Sequence, residues 1–511
     1  MKILMLLWCV LLMCSCEPDI DYIAINGSDE HGQEIAYLES LIQENGELAA
    51  VKLSLLPQDT GQGSKEIQPS LYIDILSSWE FEGNYGEHII SRSFYAPRIN
   101  SLAARTNTSL EACLDGSENI VPVDEITPPY LALRVNSLAL GDDAYPLVRV
   151  VGITLRAAET NESGRQLNNK RLLSKEFIGK TLVLTKVLED SPKPLLRPMP
   201  QPLWIASGGD LMLDRGASDI LFREGPKGIF GETAKMLASA DLTLLNLEGV
   251  ISNRGERVPK SFNFRFVPRV AEALKGAGVD AVLHANNHVF DFGETAFLDS
   301  LSYLKDADIG IVGAGHDDDE ASAPFVFRRG NEVCRVFGIA SFPRERNGWD
   351  GVSAAAGPGR PGMLHSGRGG KEKLIGHLSS EKDTLDIVLF HGGVEWSTRP
   401  DAATRTLYTD LVAAGADLVI GSHPHIVQGF EWVNNKPVFW SLGNYVFGGM
   451  ENTEGGEEGL FIHLGFLDNR LLYLEPYALI LTHTRTNVAP PENLRTFYNR
   501  SRALPGHAPG G

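Results

Sequence analysis

The stretch Asp280-Ala-Val-Leu-His-Ala-Asn-Asn-His-Val-Phe-Asp-Phe-Gly293 decides how the fold is interpreted. It opens with an apolar run, Ala281 to Leu283, of the kind found in buried parallel strands. The run then breaks into polar residues that can bind a ligand: Asn286, Asn287, His288 and Asp291. In an open α/β sheet, ligands bind in the loops at the carboxyl ends of strands. The clustering therefore favours a functional site over the alternative, an Asx-type turn that caps the following helix.

Four other strand-like runs end in polar clusters of the same kind. These clusters are Gly208-Gly-Asp210, Asn246-Leu-Glu248, His391-Gly-Gly-Val-Glu395 and Gly421-Ser-His-Pro-His425. Parallel strands have their carboxyl ends at one edge of a sheet, so we expect the five clusters to lie together. Each cluster alone is a weak indication, because His423 and His425 can form a structural pair and Asp210 can cap a helix. Together they predict one site.

The residue types in these clusters predict a metal site. Carboxylate, amide and imidazole groups bind divalent Mg, Mn, Fe or Zn, and the clusters contain no cysteine. Two such ions close together can hold a phosphoryl group and generate hydroxide from water. We expect one or two divalent ions (Mn, Fe, Zn or Mg), and the ligand types do not choose among them.

The second half of the chain alternates strand and helix patterns. Predicted strands span 203–207, 242–246, 281–284, 309–312, 335–340, 387–391, 418–421 and 438–442. Predicted helices span 230–240, 268–277, 294–306 and 402–415. This alternation predicts βαβ units and a mostly parallel sheet, that is, an α/β fold. The segment 343–370 is a long loop rich in Gly, Arg and Pro, and loops of this length are either functional lids or disordered.

Length, charge and cysteine content limit the class of protein. A chain of 511 residues predicts two or three domains. A formal net charge of -19 argues against a nucleic-acid partner, since such proteins usually carry a basic face. Beyond the first 16 residues only Cys113 and Cys334 remain, which excludes a disulfide framework and a cysteine zinc site.

The N-terminus has the pattern of a secretory signal. Lys2 precedes an apolar run, which ends at Cys14-Ser-Cys16 before a change to Glu-Pro-Asp. The run is too short to span a bilayer. Because the segment around Cys16 resembles a bacterial lipobox, we expect lipidation at Cys16 and a membrane-anchored, extracytoplasmic lipoprotein, periplasmic or on the cell surface. The alternative is a cleaved signal without lipid.

The chain divides into five predicted segments. Residues 1–16 are the lipoprotein-type signal peptide, and 17–195 are a smaller mixed α/β accessory domain of unknown role, in which no catalytic motif occurs. The stretch ending at Pro202 is rich in proline, which favours an extended linker, and we place the linker at 196–202. Residues 203–480 form the main domain, and 481–511 are a C-terminal tail.

The motifs of the main domain resemble one known family. Residues from about 203 to 448 are similar to the capsule synthesis protein A (CapA) family of poly-γ-glutamate biosynthesis, which shares its fold with the calcineurin-like metallophosphoesterases. The matching stretches, in family order, are 209–215, 246–248, 285–293, 391–395, 421–425 and 441–445. The resemblance implies a four-layer α/β/β/α sandwich with a metal site at one edge.

The resemblance also implies roles for individual residues. The residues that line up with metal-ligand positions are Asp210, Glu248, Asn287, His391, His423 and His425. His288 lines up with the catalytic histidine, which contacts the phosphate and can protonate the leaving oxygen. Two positions depart from the superfamily pattern: Met212 stands where a histidine ligand is expected, and Glu248 stands where a bridging aspartate is expected. They leave open the number of metals and whether phosphate esters are substrates.

The neighbouring polar residues have two interpretations each. Asp291 either orients His288 or caps a helix, and we favour orientation and count it with the catalytic pair. Arg215 either forms a surface ion pair with Asp214 or grips an anionic substrate. We assign Arg215, Asn286 and Glu395 to substrate binding. His284, at the end of an apolar strand, is a packed or supporting histidine rather than a ligand.

Two functions remain in competition. The first is a metal-dependent hydrolase or transferase of the cell envelope, acting on an anionic or polymeric substrate that Arg215 or the arginines 344, 346 and 360 attract. The second is a non-catalytic accessory lipoprotein of capsule or polymer synthesis and export, in contact with a membrane synthase. Intact His288 favours the enzyme, whereas Met212 favours the accessory protein. A third hypothesis, a solute-binding lipoprotein, rests on the N-terminal region alone and is weak.

Overall fold

The computed structural model describes residues 22–26, 32–44, 52–55, 71–79, 88–157 and 198–505, apart from 102, 104–106, 115–116, 129, 136, 143–144, 343, 345–348 and 380–382. The predicted signal segment with Cys16, and residues 196 and 197 of the predicted linker, lie outside these residues. No helix in the described ranges is both long and apolar enough to cross a membrane.

The N-terminal part of the chain forms one mixed sheet. The strands and helices of this region are β1 (Tyr22–Asn26), α1 (Gly32–Glu44), β2 (Lys52–Leu55), β3 (Leu71–Trp79), β4 (His88–Asn100), β5 (Asn107–Thr108), α2 (Leu110–Leu114), β6 (Ile120–Pro122), β7 (Tyr130–Ala132), β8 (Arg134–Val135) and β9 (Val148–Ala157), of which β5 and β8 pair with each other in a separate parallel ladder. The sheet order is β2-β1-β3-β9-β4-β6, and β7 also pairs with β4. β1 is parallel to both of its neighbours, and the other pairings in the sheet are antiparallel.

The rest of the described chain contains two larger sheets and eight helices. The strands are β10 (Leu203–Leu211), β11 (Leu242–Leu247), β12 (Val250–Ile251), β13 (Arg265–Phe266), β14 (Ala281–Leu283), β15 (Gly310–Val312), β16 (Ala314–Gly315), β17 (Phe325–Arg329), β18 (Glu332–Ser341), β19 (Gly362–Met363), β20 (Leu385–Gly392), β21 (Leu418–Ser422), β22 (Val427–Val433), β23 (Lys436–Leu442), β24 (Asn444–Val446), β25 (Glu458–Leu467), β26 (Arg470–Thr482) and β27 (Arg485–Val488). The helices are α3 (Ala217–Phe230), α4 (Thr233–Ser239), α5 (Arg269–Gly276), α6 (Gly293–Asp306), α7 (Asp318–Ser322), α8 (Gly370–Leu378), α9 (Ala402–Ala414) and α10 (Leu494–Arg502).

The first larger sheet has a parallel side and an antiparallel side, and the second has a parallel centre and antiparallel edges. The first sheet has the order β15-β14-β11-β10-β25-β26-β27, with β24 also paired to β10, and its first four strands are mutually parallel. The second has the order β17-β18-β20-β21-β23-β22, in which only the edge strands β17 and β22 pair antiparallel. This is the α/β organisation that the alternation of strand and helix patterns predicted.

Strands of both sheets bury both of their faces. Successive residues of a strand point to opposite faces, so Leu244 packs in one core cluster and Leu245 in another. In the second sheet, Leu389 shares the cluster of Leu244, whereas Phe390 packs with residues of α8 and α9 in a third cluster. Burial on both faces explains why these strands are almost continuously apolar in sequence.

The predicted elements are present, with two informative differences. β10 continues past its predicted end at residue 207 to Leu211, because Asp210 and Leu211 pair with β11 on one side and β24 on the other. Helix α3 was not predicted, and it contains Gly225 with a φ of 71° followed by Pro226, which interrupts the helical pattern.

The predicted C-terminal tail takes part in the fold. β26 crosses the predicted boundary at residue 480, and β27 pairs with it at the edge of the first sheet. Phe497 and Tyr498 of α10 are buried in the same core cluster as the inner faces of the two sheets. Segment 481–505 therefore adds a strand and a helix to the structure.

The N-terminal sheet region and the C-terminal sheets share a core. Leu472 and Tyr473 of β26 pack in a cluster that otherwise consists mainly of residues from the N-terminal region. The Arg134 guanidinium donates a hydrogen bond to the Glu475 carboxylate, and the Trp432 indole donates one of 3.0 Å to the Ser101 hydroxyl. A buried ion pair and apolar contacts thus join the two parts.

Candidate metal centre and active site

Strand ends from both larger sheets meet in one buried cluster. The first sheet supplies Asp210 from β10, Glu248 just after β11, and the loop after β14. The second sheet supplies His391 from β20 and the loop after β21. The side chains that the structure brings together here, all buried, are Asp210, Glu248, Asn287, His288, Asp291, His391, His423 and His425. The loops are therefore held by the parallel strands at the edge where ligands are expected.

Asp210 lies at the centre of the cluster and is completely buried. Its Oδ1 accepts a 2.7 Å hydrogen bond from the amide of Asn246. Its Oδ2 lies 3.2 Å from the main-chain nitrogen of His423, which donates to it, and 3.2 Å from Nδ1 of His425. Asp210 therefore links the end of β10 to the loop after β21 in the opposite sheet.

Glu248 is completely buried, and neither of its carboxylate oxygens has a hydrogen-bond partner in the described parts of the chain. Oε1 lies 3.7 Å from Nε2 of His288 and 3.9 Å from Nε2 of His425. Burial, followed by the nearby charge of Asp210, raises the pKa of Glu248 well above its usual value. A buried carboxylate with two unpaired oxygens is costly unless something positive binds it.

His391, His423 and Asn287 converge on one another. Nε2 of His391 lies 3.0 Å from the Asn287 side-chain oxygen and 3.1 Å from Nδ1 of His423. Burial, together with the charges of neighbouring histidines, lowers the pKa of His391 and of His423 well below 6.5. Both rings are therefore neutral near pH 7, which is the form in which an imidazole binds a metal.

His425 is in a different electrostatic environment. Burial alone would lower its pKa, but the carboxylates of Glu248 and Asp210 outweigh burial and raise the pKa to about 10. Nδ1 also lies 2.8 Å from the Asn444 side-chain oxygen. His423 and His425 have φ angles of 95° and 57°, which β-carbon-bearing residues rarely adopt. Such backbone strain, when the surrounding structure maintains it, is concentrated at functional sites.

His288 and Asp291 form a hydrogen-bonded pair beside the cluster. Nδ1 of His288 lies 2.6 Å from Oδ2 of Asp291, which leaves Nε2 on the side of Glu248. The His288 ring packs against Phe264, with 4.2 Å between the ring centroids. Asp291 therefore orients the imidazole, as the sequence interpretation favoured, rather than capping a helix: helix α6 has Phe292 at its N-cap position and no side-chain cap hydrogen bond.

The three predicted substrate-binding residues have different surroundings. Arg215 is exposed at the rim and donates a hydrogen bond to the Gly448 carbonyl, with its guanidinium 5.2 Å from the Phe264 ring centroid. Glu395 is also exposed. Asn286 is completely buried, and its amide donates to the Leu247 carbonyl while its oxygen accepts from the main chain of His288. These contacts position the loop, and they leave Asn286 without exposed surface for a substrate.

The sequence analysis assigned no role to three residues of the site. Asn246 bridges Asp210 and His391, and Asn444 contacts His425. Lys260 reaches Asp291 from a loop that precedes β13. Asn246 and Asn444 could have been found, because Asn246 begins one of the polar clusters and Asn444 lies in the matching stretch 441–445, whereas Lys260 follows no spacing that marks it.

Met212 and His284 lie outside the polar centre. Met212 is completely buried in the apolar cluster behind the first sheet, so it is no ligand. The His284 ring is also completely buried and stacks with Phe297 at a centroid distance of 6.0 Å. Burial lowers the pKa of His284 to about 4, so its ring is neutral. This agrees with a packed histidine.

The donor set fits a divalent cation. One ligand atom each from Asp210, Glu248 and His391 lie within 4.8 Å of one another. The neutral rings of His391 and His423 and the unpaired oxygens of Glu248 are in the protonation and pairing states that a metal ligand requires. Carboxylate and imidazole donors suit Mn, Fe or Zn, and Mg less well.

Comparison with known proteins agrees with these motifs. Residues 204–449 match the family model described as bacterial capsule synthesis protein. The chain is 28% identical over 250 residues to "Capsule biosynthesis protein CapA" of Bacillus anthracis, which covers 47% of this chain and 58% of the relative. It is 28% identical over 246 residues to "PGA biosynthesis protein CapA" of Bacillus subtilis, which covers 47% of this chain and 62% of the relative. The chain therefore spans less than two thirds of either Bacillus protein.

Two further matches are weaker or concern structure alone. "Probable polyglutamine synthesis accessory protein" of Mycobacterium tuberculosis is 27% identical over 316 residues, which covers 54% of this chain and 80% of the relative. A hypothetical protein from Thermus thermophilus superposes on 54% of this chain and 98% of its own, with 15% identity and a TM-score of 0.34. That score supports no inference about the fold. The matched region includes the strand ends that build the site, and residues 204–449 of this chain match the model of the bacterial capsule synthesis protein family.

Proposed function

We propose that the protein is a metal-dependent hydrolase or transferase of the cell envelope, linked to capsule or poly-γ-glutamate metabolism. The observation that carries this proposal is Glu248, a completely buried carboxylate between Asp210 and His425 whose two oxygens have no hydrogen-bond partner among the described residues. Such a group is stable in a folded protein when a cation neutralises it. His288 beside it supplies a group that can move a proton.

The residues that would hold a metal are the six that the sequence motifs named: Asp210, Glu248, Asn287, His391, His423 and His425. A bound divalent ion would lower the pKa of a water and polarise a phosphoryl or acyl oxygen. Met212 removes one donor from the superfamily's set, so the number of ions is one or two. The proposal includes Mn, Fe, Zn or Mg as the ion.

His288 would act as the acid or base. With Nδ1–H donated to Asp291, the neutral ring presents the lone pair of Nε2 to the site, and the protonated ring presents an N–H there. Asp291 fixes this tautomer and the ring direction. A leaving oxygen within hydrogen-bond distance of Nε2 would receive its proton.

The substrate that fits is anionic or polymeric. In the described structure, Arg215 forms no ion pair with a carboxylate, although the chain carries a net charge of -19. Its guanidinium at the rim can bind a phosphate or carboxylate. The loop arginines named with it contribute less, because Arg344 pairs with Asp350 and Arg360 donates to the Ala355 carbonyl. Residue 346 lies outside the described residues.

The fold proposed for residues 203–480 is the four-layer α/β/β/α sandwich, preceded by the accessory domain 17–195. Three core clusters support this arrangement. One contains residues from the facing sides of the two larger sheets. The others combine the outer side of the first sheet with α3, α5 and α6, and the outer side of the second sheet with α8 and α9. The shared core with the N-terminal region suits an accessory domain that is firmly attached.

The location is proposed from sequence alone. The apolar run before Cys16 supports export, lipidation of Cys16 and a membrane-anchored position outside the cytoplasm. A membrane synthase complex is then a natural partner, and nucleic acid is not.

A second candidate is the non-catalytic accessory lipoprotein of polymer synthesis. Two observations favour it: a relative from Mycobacterium tuberculosis bears the name of a probable accessory protein, and Met212 replaces a metal ligand. In this case the site binds metal or polymer without turnover.

The test uses the protein without residues 1–16, and measures metal by elemental mass spectrometry in wild type, Glu248→Gln, His423→Ala and His316→Ala. His316 is the matched control, because it is exposed and pairs only with Glu320 near it. We expect metal in wild type and His316→Ala, and a loss in the other two. Equal metal content in all four would refute the metal site.

Turnover is measured on phosphomonoesters, phosphodiesters and poly-γ-glutamate. We expect His288→Ala to retain metal and to lower kcat by about 10²–10⁴-fold, the range for a general acid or base. Bound metal without turnover of any substrate would favour the accessory protein instead.

A further inference from the structure

Lys260 is a buried lysine beside the candidate site, in the loop between β12 and β13. Its side chain is only 1% exposed. A lysine ammonium rarely lies in a protein interior unless its charge is paired, because removal from water is costly. The groups around Lys260 must therefore offset the cost of burying its charge.

Three neighbours surround the ammonium. Nζ donates to Oδ1 of Asp291 at 2.9 Å and to the main-chain carbonyl of Asn287. The indole ring of Trp349 lies on another side, with its centroid 4.3 Å from Nζ. An ammonium has three N–H donors, and a carboxylate, a carbonyl and an aromatic face satisfy them.

The contact with Asp291 connects Lys260 to His288. Asp291 uses Oδ1 for Lys260, while Oδ2 accepts from Nδ1 of His288 and from the main chain of Phe264 at 2.7 Å. Removal of the ammonium would leave Oδ1 without this donor, while the Phe264 N–H would still hold Oδ2. The carboxylate would then be held at one oxygen instead of two, and the His288 ring would have a less rigidly fixed partner.

The contact with Asn287 connects Lys260 to the candidate metal ligands. Lys260 holds the main-chain carbonyl of Asn287, whose side-chain oxygen lies 3.0 Å from Nε2 of His391. The same loop is tied to the Asp291 main chain, because Val258 N and the Asn263 amide both donate to the Asp291 carbonyl. The loop that carries Lys260 thus clamps the segment between Asn287 and Asp291.

We propose that Lys260 is a positioning residue of this site: its ammonium fixes the Asp291 carboxylate against His288 and fixes the main chain at Asn287. The inference rests on the proposed function, because it concerns the residue that would transfer the proton. A general role in stability is the competing explanation. The two differ in one respect, since a positioning residue acts on the reaction through His288.

A double-mutant cycle separates these explanations. The variants are Lys260→Met, His288→Ala and the double variant, and kcat and KM are measured on a substrate that the wild type turns over. Misplacement of a catalytic group by about 1 Å can cost 10²-fold, so we expect Lys260→Met to lower kcat by roughly 100-fold with KM nearly unchanged. In the His288→Ala background we expect little further loss. An equal loss in both backgrounds would overturn the proposal.

Two further variants support the interpretation of the cycle. Lys260→Gln keeps N–H donors for Asp291 and Asn287, and we expect it to recover part of the lost kcat. It also replaces Lys260→Met in the cycle if that variant does not fold. Lys436→Met is the matched control, because Lys436, the first residue of β23, pairs at 2.6 Å with Asp417, which directly precedes β21, at the ends of these strands away from the site. We expect it to leave kcat unchanged.

A second measurement does not depend on turnover. In protein labelled with ¹⁵N-histidine, the ring signals report which nitrogen of His288 carries the proton, and His288→Ala identifies them. We expect the Nδ1–H form in wild type and its loss in Lys260→Met. If no substrate is turned over, the proposed function fails while this measurement still decides about Lys260. An unchanged Nδ1–H signal in Lys260→Met would overturn the positioning role.

Discussion

Replacing Glu248 by methionine should stabilise the metal-free protein. Methionine is similar in length and unbranched, and it removes two buried oxygens that have no hydrogen-bond partner among the described residues. Each unpaired buried acceptor costs about 1–3 kcal/mol, so removal of both should raise the free energy of unfolding by about 2–6 kcal/mol. Nearby charges add to this cost, because the repulsion from Asp210 is larger than the attraction to His425.

The pH of the measurement follows from the raised pKa of Glu248. Since its pKa in the folded protein is higher than in the unfolded chain, stability from this group is present below pH 4.5 and is lost as the pH rises through the folded value. The cost of the carboxylate is therefore complete only at high pH. Urea denaturation at pH 8 with a chelator, compared between wild type and Glu248→Met, measures the difference.

Glu475→Met is the matched control for this experiment. Glu475 is also buried, but Arg134 and His463 both donate hydrogen bonds to it. Breaking such a pair leaves the half-buried Arg134 guanidinium without this carboxylate and should destabilise the protein, by at most about 3–5 kcal/mol, the cost for a fully buried pair. The reasoning is refuted if Glu248→Met is as unstable as this control, or no more stable than wild type. Added metal at 100 times its Kd should stabilise wild type by about 2.7 kcal/mol and leave Glu248→Met unchanged.

Three other predictions concern neighbouring positions. Burial lowers the pKa of His391, so the contribution of this histidine to the free energy of unfolding is present above pH 6.5 and is lost as the pH falls. In metal-free protein, the free energy of unfolding of His391→Asn should therefore fall less steeply than that of wild type as the pH is lowered. Gly209→Ala should abolish soluble folded protein, because a β-carbon at this position would lie 1.9 Å from the Gly443 carbonyl oxygen. The control is Gly276→Ala, where a β-carbon would meet open space, and this variant should be neutral or more stable by about 0.4–1 kcal/mol. Arg215→Glu should raise KM for an anionic substrate without loss of bound metal, and an unchanged KM would remove Arg215 from substrate binding.

The sequence predicted those features that depend on strand pattern. Parallel strands buried on both faces are continuously apolar, and a polar cluster after such a strand must lie at one edge of the sheet. For this reason the residues of five separate clusters could be expected to meet, and the structure brings them together. The extension of β10 to Leu211 could not be expected, because it depends on pairing with β24, which lies far away in the chain.

Other features depend on contacts that no local pattern records. Lys260 lies in a polar loop with the composition of an exposed segment, and only the folded chain shows that its ammonium is buried against Trp349. Helix α3 was hidden by Gly225 and Pro226 inside it. The boundary at residue 480 was misplaced because β26 is longer than its apolar centre, and Thr482 still pairs with Arg485 of β27.

The shared core and the ion pair between the N-terminal region and the larger sheets determine how the chain can be shortened for experiments. A fragment limited to the family match, 204–449, would lack β25 and leave the edge of β10 open, which invites aggregation. A fragment of residues 198–505 would cover that edge, but would expose Leu472 and Tyr473 to water and leave Glu475 without Arg134. Production of a well-behaved sample therefore calls for a chain that contains both the N-terminal region and the larger sheets.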